Sequence, residues 1–403
     1  MLRQFLSLFV LSILLTYQVN VFGQDSDNRT EVIQVADSSS YEIPEMLPVV
    51  YDGNVKNVIL LIGDGTGIAQ ITSGQLNSVG PDGRLYLQTM PVTGIVKTHS
   101  SSSLITDSAS GATAYSCGIK TYNGAIGVDP DGRTCKTIPE ILQGLGYSTG
   151  LVATSSITHA TPASFASHVP QRSMANEIAA QLTQSGLDVM LGGGLQYFLP
   201  ASDTLSERQD DLDLISDLKN LKYELLFNKD ELLNSSGNKL VGLFALDGLE
   251  YDYDEPRIAD MTKKALEVLS KDEDGFFLMV EGSQIDWGGH GNNARYVLRE
   301  VQDFDQAVKA ALDFAEEDGE TLVILTADHE TGGMTLQRDL NDSSQMEIYW
   351  TSGSHTGTPV PLMAYGPGSL EFMGWRDNTY VSLKLAELLG ITDFPIILNS
   401  EDQ

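Results

Sequence analysis

The residues best placed to do chemistry begin at 106–114, Thr-Asp-Ser-Ala-Ser-Gly-Ala-Thr-Ala, where one acid, Asp107, directly precedes Ser108. A serine hydroxyl is a poor nucleophile at neutral pH, so catalysis there needs a base, a lowered pKa or a metal. The rest of the chain offers metal ligands. Asp64 sits in Ile-Gly-Asp-Gly (62–65), and His159 and Thr161 sit in Thr-His-Ala-Thr-Pro (158–162). Glu281 and Asp286 share the stretch 280–286, His290 follows four residues later, Asp328 and His329 end Thr-Ala-Asp-His, and His355 opens His-Thr-Gly. Zinc takes imidazole and carboxylate ligands in a tetrahedron, whereas magnesium prefers an octahedron of oxygens. Both donor types are present. Taken singly, Asp64 between two glycines reads as a turn residue and any one histidine as structural, the class to which His99 and His168 are assigned.

Taken together, these stretches, spread over residues 56–368, resemble the alkaline phosphatase family. The resemblance implies hydrolysis of small phosphate monoesters through a covalent phosphoserine on Ser108, with two Zn2+ and one Mg2+ as cofactors. It implies a first zinc set of Asp286, His290 and His355, a second of Asp64, Asp328 and His329, and a magnesium-type set of Asp64, Thr161 and Glu281. Arg172, thirteen positions after His159, matches the arginine that clamps phosphate, and Asp107 is expected to position it. Three divalent ions outweigh the four carboxylates Asp64, Glu281, Asp286 and Asp328, and the surplus with Arg172 suits a phosphate dianion. The implied mechanism is a two-step in-line displacement with retention at phosphorus, in which paired metals stabilise the entering and leaving oxygens. Two positions depart from the best-known bacterial pattern: His159 and Trp287 stand where some relatives have an aspartate and a lysine. His159 leaves the third metal open to elements other than magnesium or acts only through water, and the uncharged Trp287 implies a looser hold on product phosphate.

The elements that must position these groups follow from apolar patterning. The runs 57–62, 150–154, 276–280 and 321–325 are continuously apolar, as strands buried on both faces are, and each delivers a candidate ligand past its end. One acid after a strand is commonplace; four strands doing so are hard to explain as caps. Helical patterns fill the intervals at 173–185, 258–269, 294–317 and 378–389, and Thr137-Ile-Pro-Glu140 has the capping-box spacing. Strands alternating with helices predict an α/β fold, a three-layer sandwich around a large, mostly parallel sheet. Sites in such sheets form outside the carboxyl ends of the strands. Between 194 and 254 the pattern weakens, and Asp210, Asp211, Asp213 and Asp217 read as a solvated helix face. Only 25 residues separate His329 from His355, which leaves no room for a large inserted crown and predicts an open site.

Composition bounds the rest. The 403 residues carry 55 acidic against 24 basic side chains, a formal charge of −31, which argues against nucleic acid or an anionic membrane surface as a partner. Residues 1–23 have a basic start, a short apolar core and a small-residue end, the layout of a secretory signal peptide. The expected mature protein is exported, periplasmic or secreted, with a polar segment at 24–48, one catalytic domain at 49–403, and no membrane span. Cys117 and Cys135, the two cysteines, read most simply in an exported chain as one disulfide adding about 3 kcal/mol, with two isolated thiols as the alternative. The family includes dimers and monomers, so the resemblance implies a homodimer or a monomer. Competing readings are a phosphodiesterase, sulfatase or phosphomutase of the same superfamily, a serine esterase using Gly146-Tyr-Ser-Thr-Gly150, and a non-catalytic metal- or phosphate-binding relative. The esterase elbow must follow a strand and open a helix, yet here the pattern has it follow a helix and enter a strand.

Overall fold

Alternate residues of the central strands face two different cores. Ile59, Leu61, Leu278, Val280, Val323 and Leu325 pack on one side of the sheet with Val301, Phe304 and Val308 of the helix Ala294–Asp318. Val58, Leu60, Phe277, Met279, Leu322 and Ile324 pack on the other with Ala109, Ala112 and Tyr115 of the helix Ser108–Cys117. Burial on both faces is why these strands read as unbroken apolar runs and not as an alternation. The structure, a computed structural model, describes residues 30–250, 252–339 and 342–398. The expected signal segment 1–23 and the start of the polar segment after it lie outside these residues.

The central sheet has ten strands in the order Gly374–Asp377, Val92–Lys97, Val360–Tyr365, Thr321–Thr326, Asn57–Gly63, Phe276–Gly282, Ser148–Ser156, Val189–Gly193, Leu240–Leu243 and Glu224–Leu226. Seven of its nine neighbour pairs are parallel; the two antiparallel ones flank Val360–Tyr365. Helices cover both faces, which makes the three-layer α/β sandwich that the patterning predicts. The four central strands, from Thr321–Thr326 to Ser148–Ser156, lie side by side and run the same way. Their carboxyl ends therefore deliver Asp64, His159, Glu281 and Asp328 to one rim.

The helix at 173–185 forms as Ala175–Gln184, and the capping box at Thr137 forms with both hydrogen bonds. Gly146–Gly150 does lie between the helix Ile138–Gly144 and the strand Ser148–Ser156, the wrong order for a nucleophile elbow. The polar N-terminal segment is an arm with a definite seat. Thr30–Gln34 pairs antiparallel with Gln345–Trp350, which pairs in turn with Met334–Arg338. This small sheet occupies the interval between His329 and His355 where no large insertion fits. Among the described residues, no helix is long and apolar enough to cross a membrane.

The expected disulfide is absent: Cys117 and Cys135 are free thiols, both buried. Cys117 closes its helix with Sγ donating to the backbone carbonyl of Cys135 at 3.4 Å, while the Cys135 thiol faces the Arg133 carbonyl at 3.5 Å. The two residues are neighbours, but each sulfur is aimed at a carbonyl and not at the other sulfur. Burial pushes the Cys117 thiol well above its ordinary value and the Cys135 thiol up to about 12, so neither is a reactive thiolate. A thiol titration of the unreduced protein should therefore find two thiols per chain after denaturation and almost none before it. A count of zero after denaturation would show that the two sulfurs are joined.

Candidate active site and metal centre

Ser108 is the first residue of its helix and nearly inaccessible, with Asp107 as N-cap. The Asp107 carboxylate accepts from Ser110 N at 3.1 Å, Ser110 Oγ at 2.9 Å and Gly124 N at 3.0 Å, and pairs with Arg172 Nη1 at 3.3 Å. Burial alone would raise this carboxyl, but the amide donors and the guanidinium outweigh it and hold Asp107 below the usual carboxylate range. The small residues of the run have a steric purpose. A Cβ on Gly111 would stand 3.0 Å from Cβ of Asp328, tighter than ordinary contact, so the glycine eases the close seat of this helix against the loop that follows the strand Thr321–Thr326. That approach sets Ser108 Oγ 3.3 Å from His329 Nε2.

The first expected ligand set is assembled. His290 Nε2 and His355 Nε2 are 3.0 Å apart, and Asp286 Oδ1 lies 3.5 Å from each. His290 Nδ1 is 2.9 Å from the Gly353 carbonyl, and His355 Nδ1 is 2.9 Å from the Thr106 carbonyl. A carbonyl only accepts, so each ring carries a proton on Nδ1, which is the tautomer whose lone pair is on Nε2. In that tautomer two nitrogen lone pairs and a carboxylate oxygen converge. They repel unless a cation stands there, and an Nδ1–H anchored on a carbonyl is the usual support of a metal-ligating histidine.

The second set lies beside Ser108. His329 Nε2 is 3.2 Å from Asp328 Oδ2 and 3.6 Å from Asp64 Oδ1, and all three side chains are fully buried. Asp328 Oδ1 is satisfied by the amides of Gly65 and His329, whereas Asp328 Oδ2 and both oxygens of Asp64 have no hydrogen-bond partner. Gly65 has φ +73°, and a Cβ there would meet Cα of Asp286 at 2.7 Å, which explains the glycine after Asp64. The third set joins Asp64 to Glu281 and His159. Thr161 adjoins Glu281; its hydroxyl, Glu281 Oε1 and His159 Nδ1 are buried without partners. Glu281 Oε2 accepts from Ser283 Oγ at 2.6 Å and Ser155 Oγ at 3.3 Å.

Electrostatics point the same way. Burial, then the charges of Asp328, Asp286 and Glu281, push the Asp64 carboxyl well above its ordinary value, and burial pushes Glu281 up to about 7. Burial also raises Asp328, and it holds His329 far below and His159 down at about 3, so both rings are neutral. Buried carboxylates left without partners are costly, and divalent cations remove that cost. The donors present fit such ions. Arg172 Nη2 donates to His159 Nε2 at 3.0 Å, and the Trp287 ring meets His159 edge-on at 6.1 Å between centroids.

Every expected site residue thus falls in one cluster. His168 does not: its ring bridges the Gly127 carbonyl and Glu140, as expected of a structural histidine. The sequence reading missed the supporting shell, namely Ser155 and Ser283 on Glu281, the carbonyls of Thr106 and Gly353, and Thr331, whose hydroxyl lies 2.5 Å from Asp286 Oδ1. Ser283 and Thr331 each stand two residues after a ligand, Glu281 and His329; Thr331 does so in an extended stretch, where alternate side chains share a face, and Ser283 at the turn that ends the strand. That spacing was the available signal.

The Alkaline phosphatase family profile matches residues 55–343. The chain is 36% identical to Alkaline phosphatase 3 of Bacillus subtilis over 83% of its own length and 89% of the relative's. The structure is similar to that of the alkaline phosphatase from the Antarctic bacterium TAB5, with a TM-score of 0.78 and 43% identity over 85% of this chain and 99% of that one. It is also similar, at TM-score 0.77 and 41% identity over the same shares, to a histidine-to-aspartate mutant of the TAB5 enzyme described with Mg bound in the M3 site. With this ligand-rich cluster around a helix-capping serine, the chain belongs to the alkaline phosphatase family and is a hydrolase of phosphate monoesters.

Proposed function

We propose that this phosphatase works through a phosphoseryl intermediate on Ser108, with two zinc ions held by Asp286, His290 and His355 and by Asp64, Asp328 and His329. A third, magnesium-type ion is assigned to Asp64, Thr161 and Glu281, with His159 at its edge. When bound, the ions supply Lewis-acid neutralisation of the oxygens around phosphorus. The observation that supports this reading best is His329 Nε2 set against the partnerless buried oxygens of Asp64 and Asp328 beside Ser108 Oγ, with the Nε2 atoms of His290 and His355 brought together at Asp286.

The chain's own groups then have distinct tasks. Ser108 Oγ forms the new bond to phosphorus while the ester alcohol leaves from the opposite side. Water then attacks the phosphoserine from the vacated side, which returns the serine hydroxyl and releases phosphate with retention at phosphorus. Arg172 grips two non-bridging oxygens through its planar fork, and Asp107 aims that fork. Asp107 also holds the first turn of the helix, so one carboxylate positions both nucleophile and clamp. His159 is neutral and its one lone pair accepts from Arg172 Nη2, so it can offer nitrogen to a third-site ion only by giving up that hydrogen bond; this leaves the set open to a metal other than magnesium, or His159 acts only through water. Trp287 places an uncharged ring beside the phosphate-binding groups, where a cation would strengthen product retention. The N-terminal segment 1–23 is assigned to export, and the mature enzyme to the periplasm or the medium.

Hydrolysis of a chromogenic phosphate monoester should be abolished by chelation, largely restored by zinc, and completed by a second divalent metal added separately. Restoration by magnesium alone would refute the zinc assignment. Ser108→Ala should lose phosphoenzyme labelling and at least about 10³-fold in kcat while still binding metal and inorganic phosphate; a variant still labelled on the same peptide would move the nucleophile elsewhere. Trp287→Lys should be inhibited by phosphate at lower concentration than the wild type. Equal or weaker inhibition would remove Trp287 from control of product release.

A further inference from the structure

Thr331 belongs to none of the ligand sets, yet its hydroxyl lies between two of them. The side chain is fully buried. Its Oγ1 is 2.5 Å from Asp286 Oδ1 and 3.2 Å from His329 Nδ1. Asp286 Oδ1 is the same oxygen that lies 3.5 Å from both His290 Nε2 and His355 Nε2, and His329 is the ring facing Ser108. Asp286 is therefore near both histidine-bearing sets, and one hydroxyl connects it to the imidazole of the other.

The proton count along this chain is determined. A carboxylate oxygen only accepts, so the single Thr331 proton goes to Asp286. Thr331 Oγ1 has no proton left for the ring, so His329 Nδ1 must be the donor between them. The neutral ring then has its lone pair on Nε2, the atom 3.3 Å from Ser108 Oγ and 3.2 Å from Asp328 Oδ2. With the hydroxyl reversed or removed, no other partner of Nδ1 among the described residues would hold the ring in this tautomer.

The backbone keeps the hydroxyl in place. Thr331 N–H donates to the Gly65 carbonyl at 3.1 Å, and its own carbonyl accepts from Gln70 Nε2 at 2.9 Å. Glu330–Thr331 pairs antiparallel with His355–Thr356, with Thr331 opposite His355. Gln70 also donates to Glu330 at 2.7 Å, so the two-residue strand is anchored at both residues. The short ladder thus carries a ligand of one set and the bridge to the other.

We propose that Thr331 is a positioning residue that sets the spacing of the two histidine-bearing metal sets by holding Asp286 Oδ1 and locking His329 as the Nδ1–H tautomer. This rests on the assignment of those sets to metals. Thr331→Val keeps the volume and removes the bridge, and Thr331→Ser keeps the bridge and removes a methyl. In metal-buffered solution Thr331→Val should bind zinc about 10–100-fold more weakly than the wild type, and kcat on the reloaded enzyme should fall with KM little changed. Thr331→Ser should recover most of both losses. Independently of any variant, nitrogen NMR of the metal-depleted wild type should show His329 protonated on Nδ1 and bare on Nε2. Wild-type zinc affinity in Thr331→Val, a loss in Thr331→Ser as large as in Thr331→Val, or an Nε2–H tautomer would each overturn the bridge. If the wild type itself binds no zinc and leaves Ser108 unlabelled, the assignment of the metal sets fails instead, whatever the variants do.

Discussion

Four carboxylates at the rim of one sheet, Asp64, Glu281, Asp286 and Asp328, are buried within reach of one another with almost no cation from the protein beside them. Their mutual repulsion and lost hydration are the largest electrostatic cost evident in the fold, visible in the upward displacement of Asp64, Glu281 and Asp328. A chain with no further ligand would protonate or open such a cluster. Divalent cations turn the same arrangement from a liability into a binding site, so metal and local stability are coupled here. Arg172 is held by Asp107, and its charge offsets only a small part of what pushes the Asp64 carboxyl up.

The sheet is what makes that concentration possible. Four parallel strands side by side end at one rim, so residues separated by more than two hundred positions meet without long loops. Rigid strands buried on both faces fix where each chain leaves the sheet, and the residues just past those exits inherit the precision. The second half of the site is less direct. His290 rides on the short helix Gln284–His290, and His355 on a two-residue strand held against Glu330–Thr331. The polypeptide between those two strands folds as a small sheet braced by the N-terminal arm. The arm's Glu31 also accepts from the amide of Ala294, at the start of the long helix that follows His290. An apparently featureless polar segment thus supports both histidines of the first set.

Specificity for monoesters is consistent with the same geometry. The expected phosphate-facing groups are Arg172, Ser108 and the third set around Glu281, and the residues between His329 and His355 add no crown over them. Relative to an aspartate and a lysine, the neutral rings of His159 and Trp287 remove one charge of each sign and leave the net charge of the site unchanged. His159 stays neutral because it is buried next to Arg172. An acidic protein can therefore act on an anionic substrate, provided the positive charge comes from ions bound at this one place.

Much of this was legible in the sequence because it depends on local chemistry. Continuous apolar runs ending in Asp64, Glu281 and Asp328 announce strands buried on both faces and the rim where they stop, whereas the close approaches at Gly111 and Gly65 are visible only once the layers pack. The order of the strands, the seat of residues 30–34 and the state of the cysteines were not legible. Spacing brings Cys117 and Cys135 near each other, but only packing decides whether two sulfurs face each other or, as here, two carbonyls. The same holds for Thr331. Its place two residues after His329 is written in the chain, whereas its contact with Asp286, 45 positions away, exists only because two strand exits converge. Local pattern determines which side chains leave the sheet and where; which oxygen or nitrogen each one then meets is decided by how the layers pack, and that depends on the whole chain at once.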